Sequence, residues 1–317
     1  MFKSIFCSLC SSGRIYCLFL IITVLSAIEL THITDLKGTL RIIIAVITVV
    51  LTVALVYYIF YRNQIRGKQI DNLFETDSIL SNGFTRIELS VMLITLMAAI
   101  YFIICFVTPS FTVKYVFYYI SMVVVVAIGI QSFLFLRYCP FSIFKDYGTD
   151  ISTNEFKYGQ STLLFLYVII GVIMNDIGAY FIGVLFGKHK MNERISPKKT
   201  WEGFLGGVVF SLISSCIFAV VVTFLGKPML PIFNFLDKDY SYAAFFIVGI
   251  SILLPLIADT GDFIFSAIKR YWGVKDFSKI LPGHGGILDR IDSLIFSAAL
   301  VSCLIVFINF FFYNTML

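Results

Sequence analysis

Long stretches without a charged residue recur along this chain, and their lengths indicate membrane-spanning helices. These stretches cover 15–28, 42–61, 89–113, 115–136, 158–187 with one interruption at Asp176, 203–226, 240–258 and 293–317. A helix needs about 20 mostly apolar residues to cross the hydrocarbon core of a bilayer. The pattern therefore predicts an all-α integral membrane protein, a polytopic helical bundle of about 8 transmembrane helices.

The first stretch is short and follows Lys3 and Arg14, as the apolar part of a signal peptide would. Glu29 and other polar residues follow it, in place of a cleavage site made of small residues. This arrangement favours a helix that is retained in the protein.

Composition agrees with a membrane location and narrows the function. Hydrophobic residues make up 59% of the chain and charged residues 14%, and the mean hydropathy is +0.94. The net charge of +5, from 24 basic and 19 acidic residues, is a surplus that membrane topology accounts for, and it argues against a nucleic-acid partner. Seven cysteines form no disulfide or zinc framework.

No internal repeat is visible, so the sequence predicts a single polytopic domain over 1–317. Its N-terminal helices, 1–136, carry no recognisable motif, whereas chemistry-bearing motifs lie within 172–298. Two segments, 187–203 and 259–292, are dense in charge, glycine and proline. Because two predicted spans separate these segments, both should emerge on the same side of the membrane and build one site.

Asp176 lies inside an apolar run and is the first candidate for that site. A carboxylate within a membrane helix costs a few kcal/mol on insertion scales, so it needs a partner or a cation. Contact with a metal or a substrate is one explanation. A hydrogen bond between helices through Asn175 and Asp176 is the alternative.

Two pairs of aspartates share a spacing of three residues. Asp259 and Asp262 follow one apolar stretch, and Asp289 and Asp292 precede the last one. In a helix this spacing places both carboxylates on one face, and oxygen ligands of this kind suit Mg²⁺. The alternative is a set of salt bridges to nearby basic residues, namely Lys269, Arg270 or Arg290.

Between these pairs, the sequence Pro-Gly-His-Gly-Gly at 282–286 suggests a backbone cradle for phosphate. Glycines permit unusual backbone angles and let amides approach an anion closely. Basic residues accompany this turn in both segments: Lys198, Lys199, Lys269, Arg270, Lys275, Lys279 and Arg290. Pro197 is expected to begin the next helix. Carboxylates, cations and glycines together indicate phosphate chemistry, and no Ser-His-acid arrangement competes with it.

The residues from Ser266 to Asp292 resemble the C-terminal signature of the phosphatidate cytidylyltransferases, also called CDP-diacylglycerol synthases. The elements Ser-x-x-Lys-Arg, Lys-Asp, Pro-Gly-His-Gly-Gly and Asp-Arg-x-Asp occur in order within these residues. A second block, Ile195–Gly207, is also similar to the family. Asn175-Asp176 departs from the Ala-Asp-Thr of many bacterial members but keeps the aspartate.

The resemblance implies transfer of CMP from CTP to phosphatidic acid, giving CDP-diacylglycerol and pyrophosphate, with Mg²⁺ and room for a second cation. It implies cation ligands at Asp262 and Asp289, and we expect Asp176 and Asp292 to be their closest auxiliaries. Together with Asp262 and Asp289, Lys269 and Arg270 are expected to act in catalysis. The expected phosphate-binding groups are Lys198, Lys199, Lys269, Arg270, Arg290, Gly283, Gly285, Gly286 and His284, the last as a hydrogen-bond donor or a loop-organising residue.

The expected partners are CTP, phosphatidic acid and membrane lipid, and a homodimer is one assembly that the sequence allows. A bacterial inner membrane is favoured over the endoplasmic reticulum, with the active site facing the cytoplasm, where CTP is found. Two other functions stay open at this point. One is a CTP-dependent lipid-alcohol kinase, and the other is an ion-coupled membrane transporter.

Overall fold

The computed structural model describes residues 2–65, 86–138, 154–224, 240–280, 283 and 285–316. Within these ranges the chain forms eight helices and one two-stranded sheet. The helices are α1 (Phe2–His32), α2 (Gly38–Ile65), α3 (Arg86–Val107), α4 (Val113–Tyr138), α5 (Asn154–Phe186), α6 (Trp201–Phe224), α7 (Tyr240–Tyr271) and α8 (Leu288–Met316). The strands are β1 (Lys190–Asn192) and β2 (Ser196–Thr200).

Six of these helices, α2 and α4 to α8, are long and apolar enough to cross a membrane. Among the residues whose side chains the structure describes, α1 and α3 contribute the apolar stretches Cys17–His32 and Val91–Val107. The prediction of an all-α polytopic membrane protein is confirmed, and each predicted span coincides with a helix.

The described residues group into two compact units. The first contains α1, α2, α3, α4 as far as Gln131, and the segment Trp272–Asp289. The second contains the end of α4, α5, the β-hairpin, α6, α7, and α8 from Arg290 onward. That the chain 1–317 is a single domain stays a prediction.

The first unit has a stacked aromatic core with satisfied hydroxyl groups. Tyr101, Phe111 and Tyr119 are fully buried, and the rings of Tyr101 and Tyr119 stack with centroids 5.4 Å apart. The hydroxyl of Thr48 lies 2.9 Å from that of Tyr101, and the hydroxyl of Thr34 lies 3.0 Å from that of Tyr119. Because buried hydroxyls are costly without partners, these pairs fix α2 against α3 and the connection between α1 and α2 against α4.

In the second unit, glycines let α5 and α6 approach closely. A Cβ atom at Gly207 would lie 2.6 Å from Asn175 Oδ1, and one at Gly203 would lie 2.8 Å from the carbonyl oxygen of Ala179. Small residues bring helix backbones together in membranes, where burial of apolar surface gives little driving force. These glycines of the second signature block therefore serve helix packing.

The β-hairpin differs from the sequence prediction. Its strands pair antiparallel, with Lys190 opposite Thr200, and Pro197 lies within β2, so the prediction that Pro197 begins a helix is wrong. Helix α6 begins at Trp201, and its Gly203 amide donates a hydrogen bond to Thr200 Oγ1 at 3.1 Å. A threonine side chain can cap a helix in this way, which is why the helix begins after Thr200.

Helix α7 continues to Tyr271, well beyond the predicted end of its apolar stretch at 258. Asp259 and Asp262 therefore lie within a helix and not in a loop. Their spacing places them on one face of α7, as the sequence predicted.

Candidate functional site

The two α7 carboxylates share one ammonium group, supplied by the hairpin. Lys199 Nζ lies 2.7 Å from Asp259 Oδ1 and 2.7 Å from Asp262 Oδ2. Strand β2 carries Lys199 to this position because Thr200, the next residue, caps α6. The sequence alternative for Asp259 was a salt bridge to Lys269, Arg270 or Arg290. The structure shows a salt bridge, but to Lys199.

Asn175 supports the same cluster from α5. It is fully buried, and its Nδ2 donates a hydrogen bond to Asp259 Oδ2 at 3.1 Å. A hydrogen bond between helices, which was the alternative explanation for Asn175 and Asp176, is thus present at Asn175. Asp176, the next residue, lines the adjacent cavity.

This cavity has a volume of about 530 Å³ and is lined by residues of the second unit. Its lining includes both signs of charge. The charged residues are Asp176, Asp259, Lys190, Lys198 and Lys199. A volume of this size accommodates a small-molecule ligand, and three lysines beside carboxylates suit a polyanion that arrives with a cation.

The Lys199 side chain is partly buried, yet its pKa lies above the usual value. Burial alone lowers the pKa of the ammonium, but the charges of Asp262 and Asp259 and their hydrogen bonds outweigh that effect. Lys199 therefore stays positively charged at neutral pH.

The donor set fits a divalent cation that is completed by a ligand. In the part of the chain that the structure describes, no group of three or more His, Cys, Asp or Glu side chains could hold a metal. Mg²⁺ in phosphate-transfer sites uses one or two protein carboxylates and takes its remaining oxygens from water and phosphate. Asp259 and Asp262, which already converge on one cation, meet that requirement.

Four further predicted residues of the second unit are not among the residues that line this cavity. Lys269 is buried on α7, and Arg270 donates through Nε to the carbonyl oxygen of Ile195 at 3.4 Å. Arg290 is exposed on α8. Asp292 is buried there, and its Oδ1 accepts a hydrogen bond from the Ser293 amide at 2.7 Å. Their predicted roles stay predictions.

Asp289 belongs to the first unit, where its carboxylate binds backbone amides of the segment Trp272–Asp289. Its Oδ2 accepts hydrogen bonds from the amides of Phe277 and Gly286, each 2.9 Å long. Gly283 and Gly285 adopt φ angles of 74° and 83°, which favour glycine. The predicted phosphate cradle stays a prediction, with the Gly286 amide directed at Asp289. His284 lies outside the described residues.

Two carboxylates that were not among the predicted site residues, Glu202 and Glu29, bind the backbone of these segments. Glu202 accepts hydrogen bonds from the backbone amides of Lys188 and His189, and so closes the hairpin. Glu29 is fully buried in α1 and accepts three hydrogen bonds from the segment Trp272–Asp289. Glu29 could have been found by the argument applied to Asp176, because it is an acid at the end of an apolar run.

Comparison with known proteins places these features in a family. Three relatives, each named phosphatidate cytidylyltransferase, are similar to parts of this chain. The protein of Staphylococcus saprophyticus is 36% identical over 176 residues, covering 55% of this chain and 61% of the relative. That of Staphylococcus aureus strain COL is 39% identical over 141 residues, covering 44% and 48%. That of Bacillus subtilis strain 168 is 41% identical over 143 residues, covering 45% and 46%.

The matched region thus spans about half the length of these curated relatives. The model of the Cytidylyltransferase family extends further and matches residues 1–308, including the N-terminal helices. This chain belongs to the cytidylyltransferase family.

Proposed function

We propose that this membrane protein is a phosphatidate cytidylyltransferase, which transfers CMP from CTP to phosphatidic acid. The observation that carries the proposal is that Lys190, Lys198 and Lys199 line one cavity together with Asp176 and Asp259. A site that brings together two polyanions needs such a set of cations. The names of the relatives and the family membership support the same reaction.

The proposed chemistry needs no general base. A phosphate oxygen of phosphatidic acid, already ionised at neutral pH, attacks the α-phosphorus of CTP, and the bond to the β-phosphate oxygen breaks to release pyrophosphate. Negative charge accumulates on the transferred and leaving groups. Lysine ammonium groups stabilise this charge without proton transfer.

Asp259 and Asp262 would hold Mg²⁺ in this proposal. When bound, the ion would neutralise charge on the CTP phosphates. Lys199 already contacts both carboxylates, so it would share them with the metal or move to the phosphates. The ligand pair expected from the family resemblance, Asp262 with Asp289, stays a prediction.

The lipid substrate is proposed to enter from the bilayer. Tyr180 and Val184 line the cavity, lie on the membrane-spanning part of α5, and are each 68% exposed. An apolar wall of this kind lets the diacyl tails stay in the hydrocarbon phase. The bacterial relatives support a bacterial inner membrane, with the cavity open to cytoplasmic CTP.

Turnover by the purified full-length protein tests the proposal. With CTP, phosphatidic acid and Mg²⁺, we expect cytidine label in a CDP-lipid and release of pyrophosphate. Asp262→Asn should lower turnover by about 100-fold, whereas Asp35→Asn, at an exposed site between α1 and α2, should not lower it.

Other outcomes would overturn parts of the proposal. Release of free CDP with a phosphorylated alcohol would indicate a lipid-alcohol kinase, and lack of turnover with every nucleotide would favour a transporter. Full turnover by Asp289→Asn at limiting Mg²⁺ would exclude Asp289 as a metal ligand.

A further inference from the structure

A carboxylate of α1, that of Glu29, is hydrogen-bonded to the segment Trp272–Asp289, which contains the glycines of the signature. Glu29 Oε1 accepts hydrogen bonds from Ser278 Oγ at 2.7 Å and from the Ile287 amide at 2.8 Å. Its Oε2 accepts a hydrogen bond from the Leu288 amide at 2.7 Å. Both oxygens are thus used, and the whole residue is buried.

The sequence of the segment is adapted to this contact. A Cβ atom at Gly286 would lie 2.7 Å from each Glu29 oxygen, so only a residue without a side chain allows the carboxylate to approach. The Leu288 amide lies at the N-terminus of α8, where a negative charge is favourable. The absence of a side chain at Gly286 therefore allows the Glu29 carboxylate to reach the backbone amides of Ile287 and Leu288.

The position of Asp289 depends on the same backbone. Its Oδ2 accepts hydrogen bonds from the amides of Gly286 and Phe277. Ile287 and Leu288, the two residues between Gly286 and Asp289, are the ones whose amides bind Glu29. Glu29 thus fixes the backbone that carries the Asp289 carboxylate.

The start of the segment Trp272–Asp289 is held by α4, which is itself hydrogen-bonded to α1. The Trp272 ring stacks on Tyr115 of α4, with centroids 5.4 Å apart, and meets the edge of Tyr118 at 5.1 Å. The Tyr118 hydroxyl donates to the carbonyl oxygen of Leu30 at 3.0 Å. Helix α4 therefore contacts the start of the segment at Trp272, and α1 contacts its end through Glu29.

We propose that Glu29 is a positioning residue for the reaction, acting through the Gly286–Leu288 backbone to orient Asp289. This inference rests on the proposed function and on the predicted role of Asp289 at the metal. Through Glu29, the N-terminal helices, in which no motif is recognisable, contribute to the geometry of the site. Glu29 itself acts through Asp289 and not on the substrate.

The test uses full-length Glu29→Gln, with Asp35→Asn as the matched acid-to-amide control at an exposed position. A glutamine keeps the size of the side chain but turns an NH₂ group toward backbone donors. We expect kcat to fall by about 100-fold and the Mg²⁺ concentration for half-maximal turnover to rise about tenfold. The KM for phosphatidic acid should stay within about twofold, because only the metal side is displaced.

A purely structural role would lower the amount of active enzyme and leave the Mg²⁺ requirement unchanged, and that result would overturn the proposal. If Glu29→Gln does not fold, Ser278→Ala removes one of the three hydrogen bonds and should shift the Mg²⁺ requirement in the same direction by about threefold. An unchanged requirement in that variant would also overturn the proposal.

Amide hydrogen exchange separates this inference from the proposed function, because it needs no turnover. In Glu29→Gln, or in Ser278→Ala if the former does not fold, a peptide covering Gly286–Leu288 should exchange at least about tenfold faster than in the wild type. Unchanged exchange there would refute the role of Glu29 even if CTP turnover is absent. Faster exchange without any turnover in the wild type would count against the proposed reaction alone.

Discussion

Replacing Lys199 with methionine removes the positive charge between Asp259 and Asp262 and keeps most of the side-chain volume. The side chains are 24% exposed for Lys199 and 6% for Asp259, and 31% for Asp262. At 2.7 Å, each contact corresponds to about 6 kcal/mol at an effective dielectric constant of about 20. Desolvation offsets most of this attraction.

The loss of one partner from a buried charge pair costs about 3–5 kcal/mol. Partial exposure of Lys199 and Asp262 places the expected cost near the lower value, about 3 kcal/mol. This corresponds to a fall in Tm of about 6–12 °C. The measurement is thermal unfolding of the detergent-solubilised protein, followed by intrinsic fluorescence, with EDTA present.

Two further measurements separate electrostatic loss from general damage. Lys198→Met, at an exposed position on the same strand, should change Tm by less than about 2 °C. In buffer without EDTA, adding Mn²⁺ should raise the Tm of Lys199→Met more than that of the wild type, because a divalent ion can take the place of the ammonium group. Equal melting of the two lysine variants would refute the ion-pair reasoning, and equal Mn²⁺ effects in Lys199→Met and wild type would refute the metal site.

Gly207→Val should prevent close packing of α5 and α6, because its Cβ would lie 2.6 Å from Asn175 Oδ1. Gly249→Ala is the control: a Cβ there has no heavy atom within 4 Å, so the substitution should raise stability by up to about 1 kcal/mol. Expression yield and Tm measure both effects. A cysteine at Lys190 should react with impermeant reagents only from the cytoplasmic face, and labelling from the outer face alone would reverse the proposed orientation. Since the pKa of Lys199 is raised, the stability that the Lys199 ammonium gives to the fold is complete below about pH 10.5 and is lost only above that value. A Tm that falls between about pH 6 and about pH 9 in the wild type, but not in Lys199→Met, would contradict this.

The helices could be predicted from the sequence because charge is excluded from membrane spans over a fixed length. The common face of Asp259 and Asp262 also follows from local spacing, which a helix converts directly into geometry. Neither inference needs information about distant residues.

The contacts that complete the site join residues far apart in the chain. Lys199 lies 60 residues from Asp259, and nothing in the local pattern distinguishes it from Lys198. Pro197 shows a different limit, since proline suits both the first turn of a helix and an edge strand. There the capping side chain of Thr200 decides where the helix begins.

Glu29 also has consequences for how the protein is made. Its partners lie 249 to 259 residues later in the chain, so the carboxylate is synthesised early and satisfied almost last. At about 5–20 residues per second, synthesis of the intervening chain takes about 12–50 s. During that interval α1 carries an acid without its native hydrogen-bond donors, a costly state in a membrane. Chains that end before Ser278 would keep this unsatisfied group, which gives membrane quality control a chemical mark of incomplete synthesis.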